Sequence, residues 1–275
     1  MLEGIIDLHI HTSPDRRPRR LDDVALAKLA EREGAAGVVL KGHHASTVLR
    51  AKAAQCLVTG IRVMGGLVLN EVAGGLSPAA VHEACTAGAR IIWMPTLDAA
   101  NHRRHEGKSG GIEVASGGTL LPAAGEILRI IADHDIALAT GHLSPLEIRL
   151  VAEGAVKAGI RRIIVNHPEH RVTGLSVAEQ KALVRDLPVY FERCYAQPIG
   201  DGRYSLNLAA NLAAINSVGS DSTVLATDSG QMENAPWDEA WRNILAHHSR
   251  HGIAAVALER MTRINPGFLS GMTDG

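Results

Sequence analysis

Residues 5–15 read I-I-D-L-H-I-H-T-S-P-D, an apolar strand that ends in two histidines. Side chains alternate faces along a strand, so His9 and His11 are predicted to point the same way and to bind one object between them. Imidazole nitrogens are common ligands of Zn²⁺, and two ligands from one strand leave room for others from elsewhere. Taken alone, the two histidines are as consistent with one packed and one solvated side chain as with a metal site. The rest of the chain must decide between these two interpretations.

Seven more short apolar runs follow, and amphipathic stretches separate them. The eight runs cover residues 4–9, 37–41, 62–69, 90–94, 136–140, 162–166, 188–192 and 223–227. Ser144 and Ser176 each begin a capping box, and Gly34, Gly88 and Gly159 stand where helices should end. This alternation predicts a (β/α)8 TIM barrel of parallel strands with one additional C-terminal helix. A doubly wound open sheet is the runner-up, but no G-x-G-x-x-G segment follows the first run.

Length and composition fit one large domain. The chain has 275 residues, of which 46% are apolar and 3% are aromatic, a balance typical of an aliphatic core around parallel strands. We predict a single barrel domain over residues 1–275. Lys and Arg number 28 against 29 Asp and Glu, so the near-zero net charge does not favour a nucleic-acid partner.

The cysteines and the amino-terminal segment bear on the compartment. Cys56, Cys85 and Cys194 are odd in number and widely spaced, which argues against a disulfide framework and against a cysteine metal site. The start, M-L-E-G-I-I-D, lacks the features of a signal peptide, and no apolar run approaches the roughly 18 residues of a membrane span. The sequence therefore predicts a cytoplasmic protein without a membrane partner.

Polar residues with ligand chemistry follow five of the eight runs. They are His9 and His11 after run one, Lys41, His43 and His44 after run two, His142 after run five, His167 after run six, and Asp228 after run eight. A barrel brings the carboxyl ends of its strands into one ring, so residues from both ends of the chain can converge there. Asp228 alone could equally well cap a turn. Because all of these residues follow the carboxyl ends of apolar runs, together they predict a metal centre.

This pattern resembles the amidohydrolase superfamily of metal-dependent hydrolases, whose hallmarks are H-x-H after strand one, a His after strands five and six, and an Asp after strand eight. The residues at those positions are His9, His11, His142, His167 and Asp228. N-P-G-F-L-S-G at 265–271 is similar to a segment that follows the last barrel helix there. The resemblance, to a poorly characterised branch, implies one or two divalent ions, most simply Zn²⁺ with Mn or Fe as alternatives. It also implies hydrolysis of an amide, cyclic amide or lactone.

The fourth run departs from binuclear members of that superfamily, which usually take a bridging carboxylated Lys or Glu from strand four. Here the run leads into W-M-P-T at residues 93–96. Lys41 is the nearest substitute, because a desolvated lysine beside a dication has a lowered pKa and its neutral amine can take up CO₂ as a bridging carbamate. A cationic Lys41 that contacts an anionic substrate is an equal alternative. Glu71, after run three, is a third option.

The opening D-L-H-I-H-T-S-P-D also resembles the polymerase-and-histidinol-phosphatase group of phosphoesterases. That group expects a T-D-H-like motif after strand two and an acid after strand three. L-K-G-H at residues 40–43 replaces the first, and Glu71 would have to serve as the second. A metal-dependent phosphoesterase is therefore the alternative function.

The chemistry of these residues suggests their roles in a hydrolase. Asp228 is predicted to orient water, accept its proton and deliver it to the leaving group, with Lys41 and His43 as further catalytic candidates and His170 as an assisting group. The substrate-binding candidates are Arg16, Arg17, His44, Glu192 and Arg193.

Two basic segments at the same end predict the charge of a small-molecule substrate. Arg16, Arg17, Arg19 and Arg20 crowd the loop after run one, and residues 95–119 form a long predicted lid or binding loop rich in His and Arg. A basic entrance favours a carboxylate or phosphate group, although a solvated surface or a homo-oligomer contact explains the arginines as well. A barrel that binds a ligand without turnover is the non-enzymatic alternative.

Overall fold

The computed structural model describes residues 2–273 and contains eight parallel strands arranged as a barrel. The barrel strands, numbered in chain order, are β1 (Ile6–His11), β2 (Gly37–Lys41), β3 (Arg62–Val68), β4 (Ile91–Trp93), β5 (Ala137–Ala139), β6 (Ile163–Asn166), β7 (Val189–Cys194) and β8 (Thr223–Ala226). Each strand pairs with the next one in the chain. The ring closes where Ile10 bridges Ser229 and the Asp228 amide donates to the His9 carbonyl. The predicted TIM barrel is confirmed, and the open sheet is excluded.

Eleven α-helices surround the barrel within the described residues. They are α1 (Asp23–Arg32), α2 (Val48–Gln55), α3 (Pro78–Thr86), α4 (Ala100–His105), α5 (Pro122–Asp133), α6 (Pro145–Ala158), α7 (Val177–Asp186), α8 (Leu208–Val218), α9 (Trp237–Arg250), α10 (Ala255–Glu259) and α11 (Asn265–Leu269). A π-helical turn, Arg260–Ile264, joins the last two. Two hairpins are added at 115–120 and 196–206. Between residues 2 and 273, no helix combines the length and the apolar character that crossing a membrane requires.

Helix starts follow the predicted punctuation. The Ser144 side chain accepts from the Glu147 backbone N–H, and the Glu147 side chain accepts from the Ser144 backbone N–H; Ser176 and Glu179 form the same reciprocal pair. Gly159 ends α6 with φ 92°, a conformation that glycine adopts without steric cost. These caps fix where α6 and α7 begin, and the loops just before them carry His142 and His167.

The prediction of a long loop over residues 95–119 is wrong. This segment contains α4 and the first strand of the hairpin at 115–120. The helix was not anticipated because its six residues, A-N-H-R-R-H, are too few to show an apolar period.

A bulge in β1 decides which face of the strand its histidines occupy. Leu8 belongs to the apolar cluster inside the barrel, whereas Ile10 belongs to the cluster between the barrel and the helices. Simple alternation would place both on one face, but the pairing register with β2 shifts between Asp7 and Ile10. His9 and His11 therefore face the interior above Leu8, at the carboxyl end of the barrel.

The buried carboxylate of Asp7 connects the first strand of the barrel to the segments that follow the last strand through hydrogen bonds. Asp7 Oδ2 accepts from the Trp237 indole at 2.8 Å, the Trp241 indole at 3.0 Å and the Thr227 hydroxyl at 2.6 Å. Asp7 Oδ1 accepts from the His9 backbone N–H at 3.0 Å. Burial raises the pKa of Asp7, and these hydrogen bonds oppose the shift. One side chain thus joins β1, the segment after β8, and α9.

Candidate metal centre

Three side chains from the first and last strands converge at the carboxyl end of the barrel. His9 Nε2 and His11 Nε2 lie 3.3 Å apart, and each lies 3.1 Å from Asp228 Oδ1. Asp228 has φ 49°, a left-handed conformation that costs free energy in a residue other than glycine. Such strain is concentrated at functional sites, where the surrounding structure holds it.

A carboxylate lies behind each of these two histidines. His9 Nδ1 is 2.6 Å from Glu192 Oε1, and His11 Nδ1 is 3.4 Å from Asp15 Oδ2. Burial would raise the pKa of Glu192, but His9 outweighs burial and lowers it to about 2. An ionised carboxylate only accepts hydrogen bonds, so His9 directs its Nδ1–H toward Glu192 and leaves its Nε2 lone pair for the site. His11 Nδ1 lies near Asp15 but makes no hydrogen bond within the described residues.

This donor set fits a divalent cation. Two Nε2 atoms and a carboxylate oxygen face one another at 3.1 to 3.3 Å, and a tetrahedral Zn²⁺ with bonds of about 2.05 Å separates its ligand atoms by about 3.3 Å. Burial and Lys41 lower the pKa of His9, yet Glu192 and Asp228 outweigh them and raise it to about 9. The site therefore attracts positive charge, which a proton or a metal ion can supply.

Lys41 ends β2 and is buried beside the three converging side chains. Its Nζ is 3.0 Å from His9 Nε2 and 5.6 Å from the centroid of the Trp93 ring. Burial lowers the pKa of the Lys41 amine, although Asp228 and Glu192 oppose the shift. A lowered pKa favours carbamate formation and the adjacent acids favour a cation, so both predicted roles for Lys41 stay open.

A second buried group with ligand chemistry lies below the first. His9, His167, Glu192 and Cys194 bring one potential ligand atom each within 4.8 Å of one another. The Cys194 thiol is 3.3 Å from Glu192 Oε1, and burial raises the pKa of this thiol well above its usual value. A protonated thiol is a poor ligand, so the group around Asp228 is the better metal site.

Asp15 also organises the neighbourhood of His11. His43 stacks on His11 with ring centroids 4.7 Å apart, and the His43 backbone N–H donates to Asp15 Oδ1 at 2.7 Å. Arg19 donates twice to Asp15 Oδ2, at 2.9 and 2.6 Å. The His43 ring is fixed from the other side by Thr96, whose Oγ1 lies 3.0 Å from His43 Nδ1.

The opposite side of the site is built from histidines without a carboxylate behind them. The ring centroids of His142 and His167 are 5.5 Å apart, and those of His142 and His170 are 5.9 Å apart. Burial lowers the pKa of His167 to about 3 and that of His170 to about 4, so both rings are neutral at physiological pH. His167 Nε2 lies 3.9 Å from Asp228 Oδ2, which makes it the link between the two sides.

A pocket of about 260 Å³ lies against this site. Asp228, Lys41 and six histidines contribute to its wall. The hairpin at 196–206 forms part of its rim and supplies Tyr204. Four arginines also line it: Arg17, Arg171, Arg203 and Arg19, the last of which pairs with Asp15.

Most of the barrel matches a known protein family. The model of the family of unknown function DUF6282 matches residues 4–192. This range contains strands β1 to β6 and the first part of β7, and it ends before β8. The chain belongs to the DUF6282 family. No curated protein sequence matched it.

Solved structures share the fold of this DUF6282 member. A zinc-bound amidohydrolase from Burkholderia multivorans is 13% identical with a TM-score of 0.64, covering 98% of this chain and 99% of that one. A proposed 2-pyrone-4,6-dicarboxylic acid hydrolase from Pseudomonas putida is 16% identical with a TM-score of 0.61, covering 98% and 97%. A 2,6-dihydroxybenzoate decarboxylase is 13% identical with a TM-score of 0.53, covering 98% and 99%. At these identities the likeness shows the fold, and the predicted resemblance to amidohydrolases is confirmed at that level.

Of the five predicted substrate-binding residues, only Arg17 belongs to the described pocket lining; Arg16, His44, Glu192 and Arg193 lie outside it. Glu192 is buried beneath His9, and its second oxygen accepts from Asn166 at 3.0 Å. Arg193 is buried and pairs with Glu169. His44 is exposed to solvent. Glu192 and Arg193 are adjacent in β7, so they face opposite sides of the barrel wall and cannot both reach a ligand.

Arg16 and Glu71, two of the residues predicted for the site, each form an ion pair outside the pocket lining. Arg16 donates to Asp98 at 2.9 Å, while Arg17 lines the pocket. Glu71 pairs with Arg103 at 2.8 Å with 54% of its side chain exposed, and it is absent from the pocket lining among the described residues. The phosphoesterase alternative requires an acid after strand three, so this placement leaves it without support.

Some residues of the site escaped the sequence analysis. Asp15 carries a weak signal, because it stands four positions after His11 in the opening motif. Cys194 and the bulge in β1 carry none, since neither the pairing register nor the burial of a single thiol is visible in a sequence.

Proposed function

We propose that this chain is a metal-dependent hydrolase of the amidohydrolase type. Water activated at the site of His9, His11 and Asp228 would attack an amide, cyclic amide or lactone carbonyl of a small anionic molecule. The observation that carries the proposal is the convergence of two imidazole Nε2 atoms and one carboxylate oxygen at 3.1 to 3.3 Å. The shared fold of the zinc-bound amidohydrolase supports it.

His9, His11 and Asp228 would hold the first ion, and the candidates for a second are Lys41, His142 and His167. We propose Zn²⁺, which suits nitrogen and carboxylate ligands, with Mn or Fe as the alternatives. When bound, a divalent cation supplies Lewis-acid chemistry and lowers the pKa of a coordinated water from about 15.7 to about 7.

Asp228 is the proposed proton acceptor. Burial would raise the pKa of its carboxyl, but His9 and His11 hold it well below the usual value, so the group is an ionised base at neutral pH. Its Oδ1 faces the two histidines, and its Oδ2 lies toward His167. From that position Asp228 would take a proton from the attacking water and return it to the leaving group. Lys41 and His43, which line the same pocket, would stabilise charge on the substrate.

The lining of the pocket favours an anionic substrate. Arg17, Arg171 and Arg203 supply three guanidinium groups, which bind carboxylates through paired hydrogen bonds. A volume of about 260 Å³ suits a small molecule. The Pseudomonas putida protein with the same fold is named for a dicarboxylic acid, which supports a carboxylate in the substrate.

The proposal also covers the domain organisation, the compartment and the assembly of the enzyme. Residues 1–275 would form one hydrolase domain in the cytoplasm, and the three cysteines, all of which are unpaired, suit a reducing compartment. Contact between copies of the chain in a homo-oligomer remains compatible with the arginines at 16, 17 and 20.

Metal analysis of protein purified without chelator tests the proposal. We expect at least one divalent ion per chain, and reconstituted protein should hydrolyse members of a panel of lactones, cyclic amides and amides, with carboxylated members preferred. Phosphomonoesters and aromatic acids in the same panel detect phosphoesterase or decarboxylase activity. Absence of any transition metal after reconstitution would refute the proposal.

A further inference from the structure

Helix α4 contacts His142, at the end of β5, through both its backbone and its ring. Asn101 Nδ2 donates to the His142 carbonyl at 3.0 Å and to the Val172 carbonyl at 2.8 Å. His102 Nδ1 lies 2.8 Å from His142 Nδ1, and the two rings stack with centroids 4.8 Å apart. One contact fixes the position of His142, and the other fixes the orientation of its ring.

Glu106 continues this row of polar groups. Its Oε1 lies 3.4 Å from His102 Nε2, and Lys108, 2.9 Å from its Oε2, favours the ionised form of the carboxyl. A carboxylate only accepts, so a neutral His102 carries its proton on Nε2 and a lone pair on Nδ1. Of two Nδ1 atoms 2.8 Å apart one must donate, and the donor is then His142.

We propose that His102 and Glu106 are positioning residues that hold His142 as the Nδ1–H tautomer, with its Nε2 lone pair available to the pocket. His142 lines the pocket, and within residues 2–273 its ring hydrogen-bonds through Nδ1 alone. Whether Nε2 then binds an ion or accepts a proton rests on the proposed function, but the tautomer itself does not.

The opposite hydrogen-bond direction defines the competing state. A doubly protonated His102 would donate from Nδ1, and His142 would then carry its proton on Nε2. That state presents an N–H to the pocket, which neither binds a metal nor accepts a proton. Both rings are buried, and burial disfavours the charged form of His102 that the competing state requires.

Two-bond ¹H–¹⁵N correlation spectra of metal-free protein at neutral pH distinguish the two neutral tautomers and the imidazolium. The His142→Gln variant identifies the His142 signals by their loss. We expect the Nδ1–H pattern for His142 in the unmodified protein. His102→Phe keeps a flat ring but removes the acceptor, so this pattern should be lost, whereas His102→Gln, whose amide oxygen accepts, should retain it. Glu106→Leu should shift part of the His142 population to the Nε2–H form.

His105→Phe is the matched control, because His105 is exposed on the same helix and should leave the His142 pattern unchanged. A His142 proton on Nε2 in the unmodified protein overturns the inference, and so does a pattern that survives His102→Phe. If a variant does not fold, the spectrum of the unmodified protein decides alone. The readout uses neither metal nor substrate, so a protein without hydrolase activity would refute the proposed function and leave this result standing.

Discussion

The two sides of the pocket use the same residue type in opposite electrostatic settings. On the side of β1 and β8, His9 and His11 are each backed by a carboxylate, and the pKa of His9 is raised to about 9 as Glu192 and Asp228 outweigh burial and Lys41. On the side of β5 and β6, burial lowers the pKa of His167 to about 3. His9 is therefore a cation-seeking group on the first side, although burial and Arg19 lower the pKa of its neighbour His11. His167 on the other side is a neutral group.

The difference shows that the groups behind a histidine decide its role. Glu192 and Asp228 supply the negative charge that favours a cation at His9, whereas Asp15, behind His11, is already paired with Arg19. His142 is backed by a second histidine, which orients its ring without adding charge. Under the proposed function, the first metal ion would bind on the side of His9 and Asp228, and the neutral side would be left for a second ion or for substrate.

Removing the shared carboxylate should have the largest effect. Asp228→Asn keeps the shape of the side chain but removes the proton acceptor, so we expect hydrolysis to fall by about 10²- to 10⁴-fold, the usual contribution of a general base. Steady-state kinetics on the best substrate measure the loss, and metal analysis shows whether the ion is retained. Activity within about threefold of the unmodified protein would contradict the role given to Asp228.

Changing a backing carboxylate should weaken the metal site itself. Glu192→Gln leaves His9 Nδ1 without a charged partner, so we expect metal affinity to fall by about 10- to 100-fold in a chelator competition assay. Glu153→Gln, on the outer face of α6 where 41% of the side chain is exposed, is the control and should bind metal normally. Equal affinities for the two variants would mean that the carboxylate behind His9 does not tune the site.

Lys41→Ala separates the two roles left open for that lysine. A carbamate predicts loss of a second ion and partial recovery of activity with added short-chain carboxylic acids. A cation predicts unchanged metal content and a raised KM for an anionic substrate, since a lost binding contact raises KM first. Metal content and kinetics, measured on the same preparation, decide between them. A variant with unchanged metal content and unchanged KM would exclude both.

His167, on the neutral side, should have a smaller effect, on how the free energy of unfolding of the metal-free protein depends on pH. The pKa of His167 is about 3 in the folded chain against 6.5 when unperturbed, so between these values the unfolded chain binds more protons. Stability from this residue is complete above about pH 6.5 and declines as pH falls toward 3. Urea unfolding of His167→Gln should therefore show a shallower loss of stability on acidification. The exposed His82 provides the control His82→Gln, and identical slopes for both variants would contradict the assignment.

Most of the fold and the chemistry of the site follow from sequence patterns. The apolar runs predict all eight strands, and the residues at their ends predict that His9, His11 and Asp228 meet, because a barrel closes its strands into a ring. The face on which His9 lies could not be predicted, since it depends on the bulge between Asp7 and Ile10. The partners of Glu192 and Arg193 were equally hidden, because burial and long-range contacts follow from packing rather than from local pattern.

The long-range hydrogen bonds of Asp7 constrain the order in which the barrel folds during synthesis. Its partners Thr227, Trp237 and Trp241 are 220, 230 and 234 residues away in the chain. The hydrogen bonds from Trp237 and Trp241 cannot form until α9 has left the ribosome, so Asp7 of the first strand must wait for these two partners while the rest of the barrel is made. Closing so long a loop carries an entropic cost that only the finished chain can recover. The β1–β8 seam should therefore be the last part of the molecule to assemble, and a circular permutant with its new ends elsewhere would make that contact local.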